Sequence, residues 1–152
     1  MAYNTGETAI LTRIRLHASY DADNTSQAKW DLLNKGTSAY YAILRPGDGD
    51  APLEWITYTV YTVTWETVIE VWQRYTEPNT TAVALWGHVQ EIIAQTAPQN
   101  KLGLTSVQNA GPVAVRAPVE MRNPKKNRGS PLWLKQEVSL EWIEQSNPIT
   151  YV

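Results

Sequence analysis

The chain contains no cysteine and no phenylalanine. The first absence removes disulfides, zinc-thiolate sites and thiol nucleophiles together. The second leaves seven Trp and eight Tyr as the whole aromatic complement, and these rings join a large apolar body to a polar tip that suits contact surfaces as well as cores. Charge is nearly balanced, with 13 Lys and Arg against 15 Asp and Glu, so no global field draws in nucleic acid. No apolar run approaches bilayer length, and MAYNTGETAILTRIRLHA has no basic region ahead of an apolar core. The expectation is therefore neither membrane insertion nor secretion by a cleaved signal; assembly inside a cell fits. Internal repeats and low-complexity tracts are absent, and 152 residues suffice for a single domain, 1–152, with its own core.

Reactive groupings are equally scarce. Histidine occurs twice, as His17 and His88, each in a helical pattern without the ligand grouping of a metal site, so both read as ordinary helix residues. The sequence has no phosphate loop, dinucleotide fingerprint, nucleophile elbow or EF-hand. Two acid pairs, Glu66 with Glu70 and Glu137 with Glu141, stand at even spacing where acid and base could share a face; solvated strand faces explain them more simply. The DGD at 48–50 offers too few oxygen ligands for a calcium loop and reads as a turn. No catalytic residue, metal or cofactor is expected, and the chain does not read as an enzyme.

What is present is a patterned set of elements. Residues 6–18 place Ala9, Ile10, Leu11, Ile14, His17 and Ala18 at helical spacing, with Asn4 and Glu7 set for a capping arrangement. A polar turn leads to a shorter helical stretch carrying Ala28, Trp30, Leu32 and Leu33, stopped at Gly36. Residues 39–44 have strand composition, and RPGDGDAP (45–52) forbids regular structure. Residues 55–75, WITYTVYTVTWETVIEVWQRY, alternate as a long antiparallel hairpin: Ile56, Tyr58 and Val60 oppose Trp55, Thr57, Thr59 and Tyr61. In its second arm Trp65, Thr67, Ile69 and Val71 oppose Glu66, Val68, Glu70, Trp72 and Arg74.

The clearest helix spans 80–95, capped by Asn79 or Thr80, with Val83, Trp86, Val89, Ile92 and Ile93 along its apolar face. Two further strands are expected at 113–121, with Pro118 marking an edge or an interruption, and at 133–145. The latter sets Leu134, Val138, Leu140 and Trp142 against Lys135, Glu137, Ser139 and Glu141. The fold class predicted is α+β: an antiparallel or mixed sheet of about four to five strands with helices packed on one face.

Loops 46–54 and 122–131 carry opposite charge. Asp48, Asp50 and Glu54 lie on the first, and Arg122, Lys125, Lys126 and Arg128 on the second. The basic stretch reads most simply as a solvated hairpin tip. In head-to-tail packing of copies, however, one acidic loop would meet the next basic loop and set orientation.

This order of elements, with the helical start, the strand ending in RPGDGDAP, the long hairpin, the helix TTAVALWGHVQEIIAQ and a last strand closing in WLKQEVSLEWIEQ, resembles the tail-terminator proteins of long-tailed bacteriophages. Regions 19–38 and 122–131 depart from the pattern. The resemblance implies a virion protein, assembled in the host cytoplasm and residing in the tail and neck. It would form a hexameric ring on the tail-tube protein, end tube polymerisation and present a surface to the head-closure or connector protein, with genomic DNA passing through the lumen without sequence-specific binding. Two other readings stay open: another neck component, such as a head-closure or tail-completion ring, and a ligand-binding module that uses exposed Trp and Tyr on saccharide or single-stranded nucleic acid.

Overall fold

The computed structural model describes residues 3–27, 38–98, 107–122 and 132–145. In chain order they form helix α1 (Tyr3–Arg15), strands β1 (Thr25–Gln27), β2 (Tyr40–Pro46), β3 (Leu53–Trp55) and β4 (Tyr61–Arg74), helix α2 (Pro78–Gln95), and strands β5 (Val107–Val115), β6 (Val119–Arg122) and β7 (Leu132–Gln145). The fold is α+β, as predicted, but among the described residues the sheet has seven strands instead of four or five. Its surplus comes from short pieces. β1 arises in what reads as a polar turn, and the expected 113–121 strand divides into β5 and β6 on either side of 116–118, where Pro118 has no N–H to give a ladder. The predicted helical stretch with Ala28, Trp30, Leu32 and Leu33 lies outside the described residues.

The sheet runs β1-β2-β4-β7-β5, with β3 also paired to β4 and β6 to β7. Among the described strands only β1 with β2 is parallel. The spine is the antiparallel pair β4 and β7, in register from Thr62↔Gln145 to Arg74↔Trp133. At about 3.3 Å per residue this ladder is roughly 40 Å long.

Strand alternation divides the side chains between two faces. Ala42, Leu44, Ile69, Val71, Leu134, Val138, Leu140 and Trp142 form the main core with Ile10, Leu11 and Ile14 of α1 and Leu85, Val89 and Ile92 of α2. The opposite face holds a smaller cluster, Tyr41, Ile43, Trp72 and Trp133, with Met121 against it. Gly6 is where α1 crosses Trp142: a Cβ there would stand 2.2 Å from the indole ring, so only glycine allows this approach.

Both helices depart from their predicted bounds in ways their ends explain. α1 stops at Arg15, where Leu16 N–H and His17 N–H turn back to the carbonyls of Arg13 and Ile14 at 3.2 and 3.1 Å, a tightened last turn that leaves His17 beyond the helix. Its start at Tyr3 puts Asn4 inside the first turn, not ahead of it as a cap. α2 starts on Pro78, with Glu77 in extended conformation at the cap position and no side-chain capping bond. Asn79 and Thr80 therefore fall within the helix.

The buried side of α2 is Thr81, Leu85, Val89 and Ile92. Val83 and Trp86, predicted to face the core, are 74% and 45% exposed. The step from 81 to 85 to 89 follows one helix row, and Val83 stands about 200° from both 81 and 85 at 100° per residue.

The 55–75 hairpin exists but is lopsided. Its first arm is only the three residues of β3, paired Leu53↔Val63 to Trp55↔Tyr61, while the second arm is the full β4. Between them Ile56 and Thr57 donate to Val60 O at 2.8 and 3.1 Å, and Thr57 Oγ1 accepts from the N–H groups of Thr59 and Val60. That hydroxyl turn competes with the ladder and ends the alternation expected through 61.

Candidate functional site

The two histidines meet in space. His17, in the turn after α1, and His88, on α2, both approach Glu91: His88 Nδ1 lies 3.2 Å and His17 Nδ1 3.8 Å from its Oε2. His17 Nδ1 already accepts the Ser19 N–H at 3.1 Å, so the ring faces Glu91 without a hydrogen bond to it. His88 stacks on Tyr40 with centroids 4.0 Å apart. Tyr20 and Tyr40 donate to the carbonyls of His88 and Ser19 at 3.3 and 2.7 Å. This cluster ties the end of α1 to α2 and β2. Among the described residues no group of three or more His, Cys, Asp and Glu is placed to hold a metal ion.

Burial first, then the Glu91 and Tyr40 charges, push the Tyr20 phenol far above its ordinary range. A raised folded-state value means this group contributes stability in full below an ordinary tyrosine pKa of about 10 and loses it as pH rises past that point. Unfolding free energy is expected to fall between about pH 10 and 11, and Tyr20→Phe to flatten that slope in urea titrations at each pH. An unchanged slope would remove the buried phenol from the account.

One member of each acid pair departs from the solvated face predicted: Glu141 is exposed and Glu66 half-buried, but Glu70 and Glu137 are largely covered. Alternation and register bring Glu70 of β4 opposite Glu137 of β7, on the side away from the helices. Arg45 of β2 bridges them, Nε to Glu70 at 2.8 Å and Nη2 to Glu137 at 2.9 Å. Lys135 Nζ reaches Glu137 at 3.1 Å and sits over the Trp72 ring, whose indole N–H donates to Glu70 at 3.3 Å. Burial works against the Arg45 charge, but the Glu70 hydrogen bond and the Glu137 and Asp48 carboxylates outweigh it and hold the guanidinium firmly protonated. Glu66 and Glu141 face each other across the same two strands.

Of the loop charges, Asp48 stays exposed and pairs with Arg45 Nη1 at 2.9 Å. Asp50 lines an open cleft of about 410 Å³ with Pro46, Gly47, Trp65 and Glu66. Glu54 is the exposed middle residue of β3. Arg122 ends β6 opposite Leu132, at the other end of the spine, and Lys125, Lys126 and Arg128 lie outside the described residues. Glu54, level with Thr62, is about 40 Å along the ladder from Arg74, level with Trp133. Glu54 and Arg122 therefore do not meet within one copy.

The sequence pattern missed a second feature of this end. Leu53, Trp55 and Ile56 each keep a little over half of their surface exposed and Tyr58 keeps 92%, making the β3 arm an apolar projection. Trp55 packs only sideways on Tyr61, centroids 5.1 Å apart. The available signal was the position of LEWI directly after a Pro and Gly loop, where too short a run follows for a core strand. Exposed valines 113, 115 and 119 lie on β5 and β6, and Val83 with Trp86 marks the outer side of α2.

Compared with known proteins, the chain matches no family model and no curated sequence.

Proposed function

We propose that this chain is a structural ring-forming protein of a long-tailed phage, acting as a tail terminator. The observation that carries the reading is the apolar β3 arm at one border of the sheet, with exposed valines along the opposite border. Contiguous exposed apolar side chains of this kind mark interaction surfaces. Because the two surfaces differ, copies join head to tail, and such heterologous contacts close into a ring when the rotation divides a full turn. The outer side of α2, with Val83 and Trp86, supplies a third surface for the tube or the connector. Function then lies in complementary surfaces: the ring caps the tube, blocks the next tube subunit, offers its far side to the head connector and leaves a lumen for DNA.

Negative-stain imaging of the purified protein with and without polymerising tail-tube protein tests this. Rings seated on tube ends, and tubes of arrested length, are expected. Particles bound to portal assemblies instead would move the protein to a head-closure role. Stable monomers that ignore tubes, with Trp fluorescence responding to oligosaccharide or single-stranded nucleic acid, would select the ligand-binding reading.

A further inference from the structure

At the hairpin end the sheet is four strands wide, in the order β3-β4-β7-β5. The far borders of the sheet differ in their cover. β1 is held by α1, with Arg15 donating to Thr25 Oγ1 at 2.7 Å and to Thr25 O at 3.1 Å and Gln27 donating to Thr8 Oγ1 at 3.2 Å. β5 pairs with β7 on one side only among the described strands, and an open edge of this kind invites another chain. Beside it runs a groove of about 210 Å³ lined by Pro98, Ala110, Gly111, Pro112, Val113 and Ile143, with Glu141 as its single carboxylate. Gly111 lets the Pro98 ring pack closely on the strand, since a Cβ there would stand 2.8 Å from it.

We infer that this groove receives Trp55 from the β3 arm of a second copy of the chain. An indole combines an apolar body with one N–H donor; the groove combines apolar walls with one carboxylate acceptor, Glu141. Charge favours the same partner. Glu54 and Asp50 flank the arm, and Arg116, exposed between Val115 and Val119, lies farther along the receiving border; among the described residues neither Glu54 nor Arg116 has an ionic partner. Two acids near Glu141 would repel, so Glu54 orients toward Arg116 and fixes the direction of docking. Within one copy β3 and β5 are three strand spacings apart, about 14 Å, so the arm cannot fill its own groove by a local adjustment. The inference rests on the ring reading and specifies its subunit contact.

The absence of native cysteine gives a clean test. Full-length Leu53→Cys and Val113→Cys proteins, each shown to unfold at the wild-type urea midpoint, are oxidised separately and as a mixture. The mixture is expected to give a covalent 53–113 dimer, with little from either protein alone. Adding Trp55→Ala to the Leu53→Cys chain is expected to lower the yield at least tenfold. The intramolecular separation exceeds the roughly 7 Å between Cα atoms that a disulfide tolerates, so any bridge joins two copies. Equal homodimer from Leu53→Cys alone, no mixed dimer at concentrations where sedimentation shows association, or monomers throughout would each overturn the docking. Wild-type binding to tube ends, measured in parallel, keeps the two readings apart: capping without the 53–113 bridge overturns this contact alone, and the bridge without capping overturns the tail role alone.

Discussion

Trp142→Ala is expected to be the most damaging single substitution in the main core. The indole is fully buried, lies against Gly6 of α1, packs beside Trp65 with centroids 6.1 Å apart, and donates its N–H to Thr67 Oγ1 at 3.3 Å. Truncation removes the largest apolar body between α1 and the spine and leaves a cavity that a glycine at the crossing cannot refill. Such a change costs about 3–5 kcal/mol, which for a domain of this length lowers the melting temperature by roughly 6–20 °C. Urea unfolding followed by Trp fluorescence and by far-ultraviolet circular dichroism measures it. A loss under about 1 kcal/mol would mean that α1 is anchored elsewhere.

The residues of that core show which physics a sequence exposes. Trp142, Leu140, Val138 and Leu134 alternate with polar neighbours, and a period of two survives any partner strand, so β7 and the inward half of β4 were legible. Ile10 and Ile14 were legible for the same reason at helical spacing. The outward pairing was not. Glu70 and Glu137 are 67 positions apart, and only the β4-β7 register brings them to one guanidinium, which arrives from β2. Register depends on contacts across the sheet, so a pattern read along one strand shows two acids and no reason for them. Val83 and Trp86 misled in a different way: apolar residues at spacing three look like a core face, but Thr81, a hydroxyl that accepts the Thr76 N–H at 3.0 Å, took the buried row instead. The β3 arm was hidden because Thr57 satisfies the turn amides through its side chain and lets an alternating run stop early. Of the candidate interface residues, Asp48 and Asp50 were legible as loop charges, Glu54 lies in a strand where a loop was expected, and the pairing of Asp48 required knowing where Arg45 stands.

Arg45→Leu is the second large expected effect, and it tests whether the outward face is held by charge matching. The guanidinium is one quarter exposed, whereas the Glu70 and Glu137 side chains keep 9% and 14% of their surface. Removing the cation leaves two poorly solvated carboxylates opposite one another on neighbouring strands, with Lys135 alone to answer both, 3.1 Å from Glu137 and 4.0 Å from Glu70. Breaking a buried pair from one side costs about 3–5 kcal/mol; partial exposure and the remaining lysine reduce this to about 2–3 kcal/mol here. The diagnostic is the rescue. Glu70→Gln in the Arg45→Leu background removes one orphaned charge, keeps an acceptor for the Trp72 indole, and is expected to recover more than half of the loss, although Glu70→Gln alone destabilises the wild type. Urea midpoints of the four proteins form a double-mutant cycle. A coupling near zero would mean that Arg45 contributes by packing its aliphatic stem along the sheet. A clear favourable coupling would show that the Arg45-Glu70-Glu137 bridge adds to the Tyr41, Ile43, Trp72 and Trp133 packing in holding β2 to the spine on the side opposite the helices.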